Sequence, residues 1–450
     1  MKQTNTHPLI ADYFDQVCRH VRATEMHRRI RDELESHLLD LMDEQMEEGV
    51  EEEEAVRQAI LQMGDSAAVG KQLHQIHKPK VEWRLLVYVM AFLAVGLFTM
   101  YGMQVSFIEF KLDSYWFYAL FGIGVMLTFT FTDYRKLLPY SFHLYVLTVI
   151  VVLLTIADGT TLNGKVVMKI WRSIPIDFVS MSMYLFLISA AGMLLTRTWR
   201  FRGTASNLIV FVLLPASLFL LAGSHVNLML YLFGFMILLM YTQTVRKEKL
   251  FIVIASGVVF VGTCLLDSYA LERVLGWMQP TKDPLGRGYF YLESMEVIRS
   301  ASFWGKGFHA PLPSMPSLES DFKFTYFIHR YGWFGGILIL IAVVLFMMRL
   351  ARVVKDVDEP YGKHLVVSIV PLFSVYFFWP MLMSTGMLPI VNLEIPFLSY
   401  SDIGTALAHF AALGLILSVH RHRSTIGKPH TYMGKIAIHK KPRAIRNARI

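Results

Sequence analysis

From residue 85 onward the chain alternates long apolar runs with short polar breaks. Ten runs stand out, over 85–105, 114–132, 137–156, 176–195, 207–222, 226–244, 249–266, 333–349, 365–383 and 402–419. Each is close to the ~20 residues a helix needs to cross about 30 Å of hydrocarbon, so the pattern predicts an all-α polytopic membrane protein of about ten spans. Before residue 84 the pattern changes. Ile30, Leu34, Leu38 and Leu41 recur at helical spacing with charged residues on the other faces, which predicts an amphipathic helix. In the stretch EEGVEEEEAVRQAILQMGD (47–65), Gly49 ends one helix. Acidic residues open the next helix where its dipole favours them, and Gly64 stops it. The expected organisation is a small cytoplasmic helical domain over 1–80, a transmembrane domain over 81–420 and a basic tail over 421–450.

The composition, 54% hydrophobic and 17% charged, agrees with a chain mostly in lipid. No signal-peptide core precedes residue 84, so the N-terminal region is expected in the cytoplasm. With that start, the short cytoplasmic connections carry Arg135 and Lys136, then Arg197, Arg200 and Arg202, then Arg246, Lys247 and Lys249, then Arg349, Arg352, Lys355 and Lys363. The connections near 223–225 and 384–401 have no Lys or Arg, although 157–175 holds Lys165, Lys169 and Arg172. The bias places both termini inside a cell membrane and the long connection 267–332 outside. The tail from Arg421 holds nine Lys or Arg and no acid, and attraction to an anionic leaflet accounts for the net charge of +8 without nucleic acid. Cys18 and Cys264 lie in different regions and imply no disulfide. The histidines show no metal spacing, and neither a metal nor a cofactor is expected.

Polar islands interrupt the apolar pattern between 286 and 400: GRGYF (286–290), WGKGF (304–308), SDFKF (320–324), YGWFGG (331–336) and PIVNLEIPFLSY (389–400). Polar backbone at membrane depth survives only where protein or a water-filled cavity surrounds it, so the islands are expected to line a site. Pro389 and Pro396 exclude a regular helix through the last of them. Asp177, Glu394 and Asp402 fall near the ends of spans, where burial in hydrocarbon would be costly, so each is expected at a cavity, a pair or the interface. Asp321, flanked by Phe322 and Phe324, reads either as an ordinary loop Asp in a turn or as a carboxylate whose pKa partial desolvation raises toward useful base strength.

In this order the islands resemble the shape, elongation, division and sporulation family, the FtsW/RodA/SpoVE polytopic proteins of bacterial wall synthesis. DYRKL (133–137), NGKVVMKI (163–170) and IPIDF (174–178) extend the likeness from about residue 85 to 420. The resemblance implies polymerisation of the lipid-linked unit lipid II, or a related undecaprenyl-linked substrate, at the outer membrane face beside a class B penicillin-binding transpeptidase. Asp321 falls where the family has its catalytic Asp. Arg287, Arg299 and Lys306 are the outer cations nearest the Gly-rich segments and the expected diphosphate ligands, with Asp177, Glu394 and Asp402 as further substrate-site residues. Residues 8–77 resemble a prefix domain fused to bacterial permease-like proteins.

The chain also departs from the family pattern. AGSHVN (222–227) stands where the family has Gln-Pro-Asp-Leu-Gly-Thr, which puts Ser224 in place of an Asp. Ser180 replaces a Lys, His329 and Arg330 replace Glu-Glu, and Ser401 and Asp402 replace Gly-Gly. Three readings follow: a lipid II polymerase, a non-catalytic scaffold for a transpeptidase, and a flippase for a lipid-linked substrate.

Overall fold

The computed structural model describes residues 7–21, 27–77, 81–105, 112–162, 165–170, 174–196, 203–242, 246–266, 268–307, 310, 315, 321–398 and 403–422. Its contacts separate into two units, with the break between Val81 and Glu82 and the larger unit running Glu82–His420.

The N-terminal unit contains α1 (Pro8–Arg19), α2 (His27–Glu47), α3 (Glu52–Met63) and α4 (Ser66–His77). Ile30, Leu34 and Leu38 of α2 are buried as the stripe predicts. The stripe then continues at i+4, so Met42 takes the core place expected for Leu41, which is only partly buried. The helices α1 and α4 close this core with Tyr13, Phe14, Val17, Val69 and Leu73.

The Tyr13 hydroxyl donates to the Gly64 carbonyl at 3.0 Å, and burial, helped by nearby Asp65, pushes its pKa up to about 12. A neutral group whose folded pKa is raised adds stability that is whole below its ordinary value of 10.0 and is lost as pH climbs through about 12. A fragment of residues 1–80 is therefore expected to melt cooperatively, and its melting temperature to fall more steeply above pH 10 than that of the Tyr13→Phe fragment. Identical alkaline limbs in circular dichroism melts would remove Tyr13 from the account.

In the larger unit, α5 (Trp83–Val105), α6 (Leu112–Phe131), α7 (Ser141–Asp158), α8 (Phe178–Met193), α9 (Thr204–Leu221), α10 (His225–Tyr241) and α11 (Arg246–Leu266) answer the first seven predicted runs. Two more helices, α12 (Ser268–Met278) and α13 (Tyr289–Ser300), occupy the segment 267–332. The last three runs are α14 (Lys323–Asp356), α15 (Pro360–Ser384) and α16 (Ile403–His422). Among the described residues six helices are long and apolar enough to cross a membrane, and three shorter apolar helices accompany them. Phe98, Leu120, Ile150, Leu221, Val258 and Leu338 belong to a broad exposed apolar surface that suits lipid rather than water. The interior is built on α8, nearly every residue of which is buried against α7, α10 and α15.

The helix α9 shows how polar groups are satisfied inside this bundle. Pro215 has no N–H to give the carbonyl four residues back, and Ile209–Leu213 widens into a π turn. The Tyr231 hydroxyl donates to that Phe211 carbonyl at 2.7 Å, and Tyr145 donates to Val210 at 2.5 Å.

Among the described residues the helical pattern has one exception, a small antiparallel sheet of β1 (Thr160–Leu162), β2 (Lys165–Ile170) and β3 (Ile174–Ile176) in the order β1-β2-β3. Thr160 faces Val167, and Met168 faces Ile176. Its last strand hands the chain to Asp177 at the head of α8.

Candidate functional site

The helices run so that α8, α10, α14 and α16 start, and α15 ends, at one end of the bundle, where α13 also packs. The polar islands gather there.

The islands WGKGF and YGWFGG meet at a break in α14. Gly332 has φ 74° and ψ −178° inside that helix, a conformation open in practice only to glycine. The carbonyls of His329 and Arg330 would otherwise accept from Trp333 and Phe334. Instead they accept from the N–H groups of Lys306 and Gly307, at 3.0 and 3.1 Å. Trp333 and Phe334 in turn donate to the carbonyls of Ser302 and Phe303, at 3.4 and 3.1 Å. Residues 302–307 thus fill the break as a short inserted turn segment, and every exchanged group keeps a partner. Arg330, fully buried, donates from Nη1 to the carbonyls of Gly307 (2.8 Å) and Ala310 (2.7 Å) and lies over the Tyr326 ring.

Asp321 stands at the head of α14, one residue before the N-cap Phe322. The residue is half-buried and its Oδ1 is closed off from solvent. Three hydroxyl-bearing residues fix the helix beside it. Ser294 of α13 bonds to Thr325 of α14 at 2.7 Å and donates to the Ser384 carbonyl of α15 at 2.8 Å, all buried. Lys323 is buried as well, with Nζ 3.5 Å from the Leu398 carbonyl.

The segment 388–398 is irregular, as its prolines dictate. Side chains hold its backbone: Trp379 donates to Pro389 at 2.9 Å, and Ile390 donates to the Tyr291 hydroxyl at 2.9 Å. Phe397 has φ 66°, costly for a bulky residue, and its ring is clamped among Phe373, Phe377 and Phe410.

Across this end, Asp177 caps α8 and is 2% exposed. Its carboxylate accepts from the Ser180 N–H at 2.8 Å and from the Ser180 hydroxyl. Asn227 Nδ2 of α10 donates to both Ser180 and Ser224, each at 2.8 Å. The start of α16 presses on the same point, since a Cβ on Gly404 would lie 2.6 Å from the Asp177 carbonyl. The two serines that replace charged residues of the family pattern therefore belong to one network, joined by Asn227. One carboxylate there is held by neutral donors.

The predicted outer cations are not gathered on Asp321. Arg287 pairs with Glu272 at 3.3 Å and with Asp283 at 3.8 Å, and its N–H donates to Asp283, so it serves the turn between α12 and α13. Arg299 is exposed at the end of α13. Lys306 is exposed too, with Nζ donating to Ser300 at 3.0 Å. Glu394 is half-buried in the irregular segment, whereas Asp402 lies outside the described residues. Lys323, Ser294, Thr325 and Asn227 were not singled out from the sequence. The burial of Lys323 was detectable only as a lysine between two phenylalanines of SDFKF. An open apolar groove of about 490 Å³ along α11, lined by Ile254, Gly257, Val258, Val261, Gly262 and Leu265, has no such chemistry.

At the opposite end the DYRKL island is architectural. Asp133 accepts from the Arg135 N–H at 3.0 Å. Tyr134, fully buried, donates at 2.9 Å to Glu359, which itself caps α15. Glu82 binds both Arg349 and His420 there.

A bundle of about ten apolar helices, with a shielded carboxylate at the head of a broken helix and a buried polar network beside an irregular segment, defines a polytopic membrane protein with a polar site at one end. The chain matches the FtsW/RodA/SpoVE cell cycle protein family over residues 82–425, and it belongs to that family. It is 25% identical to the stage V sporulation protein E of Bacillus subtilis (strain 168) over 359 residues, covering 75% of this chain and 96% of that protein. To the peptidoglycan glycosyltransferase MrdB of Escherichia coli (strain K12) it is 28% identical over 182 residues, 39% of this chain and 49% of that one. Among solved structures, a chain from work on the structural coordination of polymerization and crosslinking by a peptidoglycan synthase complex aligns with a TM-score of 0.59 at 20% identity, over 76% of this chain and 98% of that chain. The rod shape determining protein RodA of Thermus thermophilus aligns at 0.53 and 18% identity, over 76% and 97%. At these identities the structures establish the shared fold.

Proposed function

We propose that this protein is a peptidoglycan glycosyltransferase that joins lipid II, or a related undecaprenyl-linked unit, into glycan strands. The observation that carries the reading is Asp321, set at the head of α14 with one carboxylate oxygen shielded from water. Partial desolvation favours the proton-accepting role that glycosyl transfer needs. In the step, the acceptor sugar hydroxyl gives its proton to Asp321 while its oxygen bonds to the anomeric carbon of the donor. The bond from that carbon to the diphosphate oxygen breaks, and polyprenyl diphosphate leaves with the electron pair. Relatives named as peptidoglycan glycosyltransferases support the reading. Purified protein, supplied with lipid II and candidate class B penicillin-binding transpeptidases, should yield glycan strands on gels, and no product with any of them would count against it.

A second reading rests on the network around Asp177. Neutral Ser180 and Ser224, joined by Asn227, stand where the family pattern has charges, and at low dielectric such a change alters the field of a site strongly. A non-catalytic scaffold that docks a class B transpeptidase fits that change.

The active end faces the outside of the cell in this proposal. Arg135, Lys136, Arg246, Lys247, Lys249, Arg349, Arg352, Lys355 and Lys363 lie at the opposite end of the bundle from Asp321, which supports a cytoplasmic assignment for that end and for both termini. In intact cells an impermeant thiol reagent should label a single cysteine at the exposed position 306 and not one at 430; the reverse pattern would invert the topology.

A further inference from the structure

The N-terminal unit has a face that its own core does not use. Among the described residues this unit exposes four large apolar side chains, Leu9, Leu39, Met46 and Leu61. Leu39 and Met46 both belong to α2 and sit seven residues apart, two turns along one side of the helix. The buried stripe Ile30, Leu34, Leu38 and Met42 lies on another side. Exposed acids surround the apolar pair: Asp32 and Asp43 on the same side, Asp40 and Glu47 next to it. From Asp32 to Val56 the chain has twelve Asp or Glu and no Lys or Arg, so no base within that stretch offsets their field.

An apolar pair set in acids is matched by a segment that is both aliphatic and basic. The chain carries one in 423–450, outside the described residues, with eight Lys or Arg, no Asp or Glu, and Ile436, Ile438 and Ile445 among the bases. That segment has no Trp, Phe or Leu, the residues that seat a basic stretch in a bilayer surface, which favours a protein face over the lipid leaflet. Its starting point also suits the contact. The larger unit begins at Glu82, whose carboxylate lies 3.3 Å from Nε2 of His420 near the end of α16. The N-terminal unit and the tail therefore leave the bundle from one point. A chain of the tail's length reaches up to about 95 Å when extended, against about 30 Å for the whole of α2. Two partners tethered within reach of each other meet at high effective concentration.

We infer that residues 423–450 dock on the Leu39–Met46 face of α2, with isoleucines on the apolar pair and lysines and arginines on Asp40, Asp43 and Glu47. The N-terminal unit is thereby the receptor for the chain's own tail. The contact is independent of the glycosyltransferase reading, because neither segment holds a residue used there.

The test uses the full chain in nanodiscs, with photoreactive benzoylphenylalanine at position 46 and the cross-links mapped by mass spectrometry. Cross-links should run within one chain to peptides of 423–450, equally in phosphatidylcholine and in phosphatidylglycerol. Asp43→Lys combined with Glu47→Lys should lower their yield about 5- to 10-fold, the scale of two exposed ion pairs turned to repulsion. Lys440→Glu with Lys441→Glu should do the same, and all four reversals together should restore the yield. Both acids are exposed near the C-terminal end of α2, where a lysine suits the helix dipole, so the fold should survive. If the reversals melt the unit, Asp43→Asn with Glu47→Gln is held to a loss in the same direction. Cross-links to other segments, or none, overturn the inference, as does a yield that the reversals leave unchanged. Cross-links between two chains, detected by mixing nitrogen-15-labelled and unlabelled protein, give the face to a second copy instead. Loss of the cross-links in phosphatidylglycerol alone gives the tail to the leaflet.

Discussion

Asp321→Asn should lower glycan synthesis by about 10²- to 10⁴-fold, the usual contribution of a positioned acid or base, while the protein inserts, purifies and melts as wild type. The amide keeps the size and most of the hydrogen-bonding capacity of the carboxylate at the head of α14 and removes its ability to take a proton. Affinity for lipid II should stay the same or rise slightly, since an anion beside the diphosphate has been removed. The quantity to measure is single-turnover glycan formation with wild-type and variant protein at matched concentration. Wild-type turnover in the variant would exclude Asp321 as the base. A different outcome would favour the scaffold: wild type makes no glycan with any class B transpeptidase, and Asp321→Asn fully restores a strain that shows a division or spore defect without this protein.

The second large effect concerns folding. Gly332→Ala should destabilise the bundle by at least about 2 kcal/mol, because a residue with a Cβ is strained by roughly 1–3 kcal/mol at such a dihedral. The new Cβ would also lie 2.2 Å from the Phe303 carbonyl oxygen, so the inserted segment must move. The hydrogen bonds that 302–307 exchange with α14 would then weaken, at about 1 kcal/mol each. Gly124 on α6 is the control, as a Cβ there meets nothing within 4 Å. Thermal unfolding in one detergent should separate Gly332→Ala clearly from Gly124→Ala; coincident melts would mean that the break tolerates a side chain.

The ten spans could be read from the sequence because lipid requires every crossing to be long, apolar and helical. The sheet at 160–176 could not, since its β-branched VVMKI run is brief, lacks a clean alternation, and sits in a connection where hydropathy carries little information. At this end of the bundle, the SDFKF island was legible because its motif is contiguous. The Asp177 network was not, because Ser180 and Asn227 are 47 residues apart and only the packing of α10 against α8 joins them. The assignment of Arg287 to substrate overlooked a local signal, the acid four residues earlier at Asp283, which claims the guanidinium within its own turn. Lys323 shows a signal that the sequence hides. A lysine in a short aromatic motif reads as a polar letter until tertiary packing shows that its ammonium is inside.

The turn segment at 302–307 that fills the break in α14 also bears on biogenesis. It leaves the ribosome about twenty-five residues before its receptor at 329–334, so both halves of the exchange are present early, close together in the chain. The break can therefore close before α15 and α16 are made, and those two late helices then enter against a wall that is already set. Truncations ending soon after residue 356 should consequently protect 302–307 from protease, and a chain with the two halves separated by a long inserted linker should mature slowly.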